Sequence, residues 1–582
     1  MSTSIDQVSG KTFDYIVVGG GTSGLVLAVR LSEDPTVSVL VLEAGAANLD
    51  DPAILTPAAF GSHFGKPEYD WAFNTVAQDN CRGTSFHWTR GKGLGGSSAI
   101  NFFFQFHRPA KSDIDAFEEL GNRGWNWDLL KKYYMKWPLT VAYPITLSNF
   151  EKPYHEALQK LGINRAKEPF SGDTKGTWLT PVSIDPLERV RSYSANKYYQ
   201  PNASRVNLTV LASAQVTKII LNKNADGTVT STGVSFVHDG RMYQTSVAKE
   251  VIVSAGAIMS PQILELSGIG DKDVLQKVGI DVVVDLPGVG ANVQEHVYAG
   301  ASYEVRQDTE DEYLTFDCLR NPAELARQRE LYKEGKGVFG MSVICMTFVP
   351  LSSISPDSKS IQMALAASMQ AGFASKKYPP ALMKQYKVQL GHIHDQEPSC
   401  EIVLSPRFTS RPKLPEANKK YITIACLINH PFSRGTVHVS SIDPLAHPVI
   451  DPRYFDEQYD ILSFVELIKF SRRLVQQEPL KSILTGTEVN PGPEVQTDEQ
   501  IAEDYLKANC TTTYHTVGSC SMLPLQDLGV VDNKLKVYHT TNIRVVDLSI
   551  IPLHVGAHLQ ATAYALGELG ADIIKGKVLS EA

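Results

Sequence analysis

Three glycines and one carboxylate near the start of the chain have the spacing of a nucleotide-binding turn. Gly19, Gly21 and Gly24 follow the apolar run at 15–18, and Glu43 ends the next apolar run. Gly19 permits a tight turn, Gly21 lets a pyrophosphate approach the backbone, and Gly24 allows a helix to pack closely on a strand. The start of that helix attracts phosphate, and Glu43 can accept hydrogen bonds from ribose hydroxyls. Since Glu rather than Arg follows the second strand, the pattern favours FAD or NAD over a cofactor with a ribose phosphate.

A second run of glycines and hydroxyls, GKGLGGSS, lies at residues 91–98. Its backbone N–H groups and small side chains suit contact with a flat polar ligand. A plain surface turn is the alternative interpretation. However, the apolar residues of INFFF, 100–104, follow directly, and a surface loop rarely runs straight into so much aromatic mass. We therefore expect this run to lie against the ligand.

Alternating strand and helix patterns surround these glycines. Apolar runs at 15–18 and 37–42 predict parallel strands, and the segment between them predicts a helix. A strand at 251–253 leads into a second helix, in which Pro261 is expected at an early position. Strand-like runs between about 311 and 505 indicate a sheet-based second domain. The predicted organisation is an α/β domain formed by 1–310 and 505–582, with a second domain at 311–504.

Composition narrows the classes of function. The 582 residues are 43% hydrophobic and 20% charged, with a net charge of −8, as in ordinary globular enzymes. The acidic balance argues against a nucleic-acid partner, and no apolar run reaches transmembrane length. The polar first residues lack the core of a secretory signal, and the seven scattered cysteines form no C-x-x-C pair. We therefore expect an intracellular, cytoplasmic protein with reduced thiols, no membrane partner and no metal site.

The ordered motifs resemble those of the glucose–methanol–choline (GMC) family of flavin oxidoreductases over nearly the whole chain. The resemblance rests on VVGGGTSG (17–24) with VLEAG (41–45), RGKGLGGSSAIN (90–101), GAIMSPQILELSGIG (256–270), LPGVGANVQEH (286–296), SRGTVHV (433–439), and then YHTVGSCSM, GVVDNKLKV, IRVVD, IIP and AHLQAT. AHLQAT looks most like the aryl-alcohol oxidases, and RGKGLGGSS before an aromatic run is similar to fungal formate oxidase. Two positions depart from the family pattern, namely Gln105 and Leu559.

The resemblance implies a fold and a cofactor. The fold is a Rossmann-like FAD-binding domain with a substrate-binding cap domain. In members that bind flavin covalently, the linking histidine lies at the end of the GGSS block, where this chain has Ala99 and Ile100. Noncovalent FAD is therefore expected, with nearby His87 as the alternative linker.

The resemblance also implies a reaction. His515 is the family's base, His558 hydrogen-bonds the substrate oxygen, and the flavin N5 takes the hydride. The expected substrate is a small primary alcohol, aromatic or conjugated, which becomes an aldehyde while oxygen or another acceptor reoxidises the flavin. The alternative is lyase, dehydratase or cyclase chemistry with a structural FAD. The other histidines are interpreted as structural, among them His107, His296 and His554. A role in secondary metabolism is a further expectation.

The glycine pattern and the resemblance together imply a set of cofactor contacts. They are Gly19, Gly21, Thr22, Ser23, Gly24, Glu43, Ala44, Gly91, Gly95, Ser98, Asn101, Phe102, Phe103, Phe104, Val216, Asp547, Gln560 and Thr562. The main chain of Val216 would contact the adenine. Tyr514 and Phe102 would line the substrate pocket, with ordinary core packing as the alternative.

Overall fold

Two seven-stranded sheets form the centre of the protein, each with its own large apolar core. The computed structural model describes residues 3–101, 106–309 and 312–579. Phe102, Phe103 and Phe104, which were predicted to contact the cofactor, lie outside these ranges. No helix within the described ranges combines the length and the apolar character needed to cross a membrane.

The first sheet contains the predicted nucleotide-binding turn. Its parallel part has Thr12–Val18 at the centre, because alternating strands and helices place consecutive parallel strands side by side. An antiparallel meander extends one edge. The strand order is Leu208–Leu211, Val39–Leu42, Thr12–Val18, Arg241–Val253, Val229–His238 and Ala214–Lys223, with Ile543–Val545 also pairing with Arg241–Val253.

The second sheet is antiparallel. Its order is Leu484–Asn490, Val297–Val305, Lys420–Ile428, Cys400–Ser405, Cys345–Val349 and Gly176–Leu179, with Thr511–Thr512 pairing with Val297–Val305. The strands at 176–179 and 297–305 come from the segment that the sequence assigned to the FAD-binding domain. The predicted boundary at 310 therefore does not follow an edge of this sheet, and the two-domain division stays a prediction.

Helices cover the sheets, and the C-terminal helix lies against the first one. The longer helices are Thr22–Leu31, Lys111–Glu119, Trp127–Tyr133, Glu151–Lys160, Gly256–Leu266, Pro322–Lys333, Ser358–Ala374, Pro380–His394, Gln458–Val475 and Gln560–Ile574. Ser23 donates its hydroxyl hydrogen to the Ala563 carbonyl at 2.8 Å. Arg30 pairs with the buried carboxylates Glu568 and Asp572. The nucleotide-binding turn is thus fastened to a segment more than five hundred residues away.

The helix Gly256–Leu266 contains Pro261 in its interior, whereas the sequence predicted an early position. A proline there removes the N–H group that would bond the carbonyl of Ala257, four residues earlier. Ser519 supplies a replacement, because its hydroxyl donates to the Ala257 carbonyl at 2.5 Å. The distant hydroxyl explains why the helix tolerates the proline, and a local pattern cannot reveal it.

Candidate active site

The glycine turn at 19–24 has the geometry of a tight strand-to-helix connection. Gly19 adopts φ +107°, and a Cβ at Gly24 would lie 2.1 Å from the Gly19 carbonyl oxygen, so both positions require glycine. A Cβ at Gly21 would meet nothing nearer than 4.0 Å. Gly21 also lines a cavity of about 170 Å³ at the start of the helix Thr22–Leu31. The open face and the helix N-terminus together fit a pyrophosphate group.

Most predicted cofactor contacts lie on the walls of two adjacent cavities. The smaller cavity is lined by Gly19, Gly21, Thr22, Ser23, Glu43, Ala44, Gly91, Val216 and Asp547. A larger cavity of about 430 Å³ is lined by Thr22, Gly91, Ser98, Asn101 and Gln560, together with Tyr514, His515 and His558. Thr22, Gly91 and Tyr514 belong to both walls, so the cavities adjoin. An elongated dinucleotide fits this arrangement.

Three predicted contacts lie elsewhere. Gly24 is in the helix–strand packing, where no room remains for a ligand. Gly95 faces Tyr193, since a Cβ there would lie 2.6 Å from that ring. The buried Thr562 hydroxyl meets the Tyr134 hydroxyl at 3.1 Å. None of the three lines either cavity.

Glu43 makes backbone contacts that the sequence did not predict. Its side chain is buried and accepts hydrogen bonds from the backbone N–H groups of Gly20 at 2.7 Å, Gly45 at 2.8 Å and Gly93 at 3.0 Å. Burial raises the pKa of this carboxyl group, and the three N–H groups oppose that rise. Glu43 therefore joins both glycine-rich segments. Its Oε2 accepts one of the three bonds, so lone-pair capacity remains on the cavity side for a ribose hydroxyl.

The two predicted catalytic histidines are close together. The ring centroids of His515 and His558 lie 4.7 Å apart, although 43 positions separate them in the sequence. Both side chains line the larger cavity. The fold therefore brings together the pair that the motifs indicated, next to the wall formed by the two glycine-rich segments.

Hydrogen bonds determine the tautomer of His515. His296 Nε2 lies 2.9 Å from the Asn429 carbonyl oxygen, so this nitrogen must donate and His296 Nδ1 is left to accept. His515 Nδ1 lies 3.1 Å from His296 Nδ1 and 2.9 Å from Thr513 Oγ1, so it carries the hydrogen. The Nε2 atom of neutral His515 is then an acceptor. Burial, followed by the neighbouring His558, holds the pKa of His515 well below its ordinary value, which keeps the ring neutral.

The peptide unit of His515 is held by a buried ion pair. Its N–H group donates to Glu295 Oε1 at 2.5 Å, while Glu295 Oε2 lies 3.4 Å from Arg90 Nη2. Burial raises the pKa of Glu295 and lowers that of Arg90, and the attraction between the two charges opposes both shifts. On the other side, His554 Nε2 donates to the His515 carbonyl at 2.7 Å. His515 is thus held in place through its backbone as well as its ring.

Glu401 positions His558. Its Oε1 atom lies 2.8 Å from His558 Nε2, and its side chain is completely buried. Glu401 Oε2 has no hydrogen-bond partner among the described residues. The backbone N–H of His558 also donates to His107 Nε2 at 3.0 Å. Because Glu401 engages Nε2, the Nδ1 edge of His558 is the edge available to a ligand.

Sequence reasoning missed this supporting shell. It interpreted His107, His296 and His554 as structural, and all three form hydrogen bonds to the predicted catalytic pair. It did not single out Glu401, although a single acid within the apolar strand Cys400–Ser405 is an unusual pattern. That isolated acid was the available signal, because a carboxylate is buried in a strand only when it has a partner. His438, by contrast, pairs with Glu265.

Comparisons with known proteins agree with this architecture. Residues 13–298 and 431–567 match family models described as GMC oxidoreductase. The chain is 34% identical to the GMC oxidoreductase family protein Mala s 12 of Malassezia sympodialis, covering 98% of this chain and 93% of that protein. It is 33% identical to dehydrogenase citC of Monascus ruber (97% and 96% covered) and 29% identical to versicolorin B synthase of Aspergillus parasiticus (98% and 89% covered).

Solved structures give the same result. An FAD-dependent oxidoreductase from Chaetomium thermophilum superposes with a TM-score of 0.87 at 27% identity, covering 97% of this chain and 99% of that one. A fungal aryl-alcohol oxidase gives a TM-score of 0.84 at 28% identity, with 97% and 98% covered. A formate oxidase gives 0.82 at 27% identity, with 98% and 99% covered. The paired cavities, the matched segments and these relatives lead to one conclusion: the chain is an FAD-dependent member of the GMC oxidoreductase family.

Proposed function

We propose that this enzyme oxidises a primary alcohol with an aromatic or conjugated body to the aldehyde. The observation that carries the proposal is the His515–His558 pair, with ring centroids 4.7 Å apart, on the wall of the larger cavity. FAD, when bound, supplies the acceptor for the hydride that leaves the carbinol carbon. Oxygen or another electron acceptor would be the second substrate of this reaction.

The two histidines divide the handling of the hydroxyl group. His515 Nε2 is the unprotonated nitrogen of a neutral ring, so it can take the hydroxyl proton. His558 meets the substrate oxygen with its Nδ1 edge, since Glu401 already holds Nε2. Hydrogen bonds to its ring and to its backbone restrain His515. A restrained base preserves the alignment that the reaction requires.

The cavity walls support a conjugated substrate. Phe64 and Tyr514 meet edge to face with ring centroids 5.4 Å apart, and both line the larger cavity with Tyr298. The strand residues Val403 and Leu427 add aliphatic surface to the same wall. Flat aromatic or conjugated groups pack well between such surfaces.

The test is anaerobic bleaching of the flavin absorption by aryl, allylic and aliphatic primary alcohols. We expect aryl and allylic alcohols to bleach the wild-type flavin. His515→Ala should keep its FAD and slow bleaching by about a hundredfold or more, because it lacks the base. His394→Ala is the control, since that side chain is 89% exposed at the end of a helix. A near wild-type rate in His515→Ala would overturn the assignment of the base.

Lyase, dehydratase or cyclase chemistry with a structural FAD is the second candidate. It is supported by the 29% identity to versicolorin B synthase over 98% of this chain. The same two histidines can serve acid–base chemistry without any transfer of electrons. A substrate that is converted without bleaching the flavin would establish this candidate in place of oxidation.

FAD attachment is proposed to be noncovalent. His87, the alternative linker, lines neither cavity, and its Nε2 lies 3.4 Å from the buried carboxylate of Asp70. Denaturation in acid should release all of the yellow colour into the supernatant. Colour that stays with the precipitated protein would show a covalent link.

A further inference from the structure

The larger cavity extends away from the histidines along one face of the second sheet. Residues from three neighbouring strands line it, and on each strand they are two positions apart: Tyr298 and Gly300, Val403 and Ser405, and Ala425 and Leu427. Residues two apart on a strand share a face. The cavity wall is therefore the flat surface of the sheet itself.

The strand Cys400–Ser405 gives the length of this wall. Glu401, Val403 and Ser405 share one face, and Glu401 contacts His558 at the end nearest the reaction site. Ser405 lines the cavity four residues further on. A strand rises by about 3.3 Å per residue, so the two ends are separated by roughly 13 Å.

The end of the cavity near Ser405 carries a cation. Among the described lining residues, Arg411 has the one permanently charged side chain, and no Asp or Glu lines the wall. No described carboxylate forms an ion pair with Arg411, which is exposed to solvent as well as lining the cavity. Polar neighbours accompany it on the wall, namely Thr409, Ser410, Asn509 and Thr511.

The loop that carries Arg411 is tied to the sheet. Ser410 Oγ donates to Ser302 Oγ at 2.6 Å and accepts from Asn490 Nδ2 at 2.9 Å. The Thr409 N–H donates to Thr423 Oγ1 at 3.0 Å. The backbone on which the guanidinium is mounted is therefore fixed relative to the cavity wall, which distinguishes it from a cation on a loose surface loop.

We propose that Arg411 binds a carboxylate at the far end of the substrate. The substrate class is then a primary alcohol whose conjugated or apolar body carries a carboxylate about 10 Å from the carbinol, a length comparable with the roughly 13 Å between the two ends of the strand. A guanidinium matches a carboxylate with two parallel hydrogen bonds. The carboxylate thus orients the body along the sheet and directs the hydroxyl toward His515. This inference rests on the proposed alcohol oxidation for its reaction and on the cavity for its binding.

The first experiment measures binding without chemistry. Phenylhexanoate and its uncharged partner phenylhexanamide, neither of which has a hydroxyl group, are titrated into the FAD-loaded enzyme while the flavin spectrum is recorded. Arg411→Gln should weaken binding of the acid by about tenfold and leave the amide unchanged, and Arg411→Lys should retain part of the preference. Arg329→Gln, which removes an exposed arginine from the helix Pro322–Lys333, is the matched control.

The second experiment measures the reaction. We expect para-(hydroxymethyl)phenylbutanoate to bleach the flavin at about tenfold lower concentration than its amide, and Arg411→Gln to abolish that difference. If the acid binds in an Arg411-dependent way but does not bleach the flavin, the anion site stands and the proposed alcohol oxidation is rejected. Failure of the acid to bind, or equal losses for acid and amide in Arg411→Gln, would overturn the anion site.

Discussion

Replacing Glu43 by Gln tests the finding that this carboxylate joins the two glycine-rich segments. In the wild type, Oε1 accepts from Gly45 and Gly93, and Oε2 accepts from Gly20. A glutamine in the same place can keep the first two bonds, but its NH₂ group then faces the Gly20 N–H. One buried donor loses its acceptor, which costs about 1–3 kcal/mol of unfolding free energy.

The assay is urea unfolding followed by tryptophan fluorescence, on FAD-free protein and at a fixed excess of FAD, since a bound ligand adds its own stabilisation. We expect Glu43→Gln to unfold at lower urea in both conditions. Glu330→Gln is the matched control, because its side chain is 71% exposed and its pair with Lys333 contributes little. An unchanged midpoint without FAD, together with weaker FAD binding, would refute the structural role and support a ribose contact alone.

Two further predictions concern the histidines. Glu401→Gln replaces a charge-assisted hydrogen bond to His558 with a neutral one. Flavin reduction, measured by stopped flow, should slow by about fivefold. An unchanged rate would contradict the positioning role of Glu401. Burial lowers the pKa of His296 and His515 well below the ordinary value and that of His554 to about 3. Below about pH 6.5 the unfolded chain therefore binds protons that the folded chain does not, and the unfolding free energy falls by up to about 1.4 kcal/mol per pH unit for each such group. In urea unfolding between pH 7 and pH 5, His554→Gln should flatten this dependence, and a slope equal to the wild type would refute the argument.

Features set by short stretches of chain could be predicted from the sequence. The turn at 19–24 depends on glycine spacing; the strand Thr12–Val18 includes the strand predicted at 15–18, and the helix Thr22–Leu31 lies in the segment predicted to be helical. The family resemblance is confirmed by the matched segments. The proposed catalytic pair was available only through that resemblance, since no local pattern relates two histidines 43 positions apart.

Features set by packing between distant segments could not be predicted. Glu43 meets Gly93, 50 positions later, and this contact depends on how two turns pack rather than on either turn alone. His296 and Glu401 come from different strands or loops than the histidines that they hold. The second sheet takes its strands at 176–179 and 297–305 from the segment predicted to belong to the FAD-binding domain, and they pair with strands from the segment predicted to be the second domain.

The fastening of the helix Thr22–Leu31 to the helix Gln560–Ile574 constrains the order of events during synthesis. The ribosome produces the nucleotide-binding turn first, yet Ser23 and Arg30 find their partners only when residues near 563–572 have emerged. Gln560 and Ala563 complete cavity walls that the early segments begin. During most of translation, the apolar helix Thr22–Leu31 therefore lacks its helical partner, and the cofactor cavity lacks part of its wall. We therefore expect FAD to bind only after residues near 560–572 have been synthesised, because the cavity walls are incomplete before then.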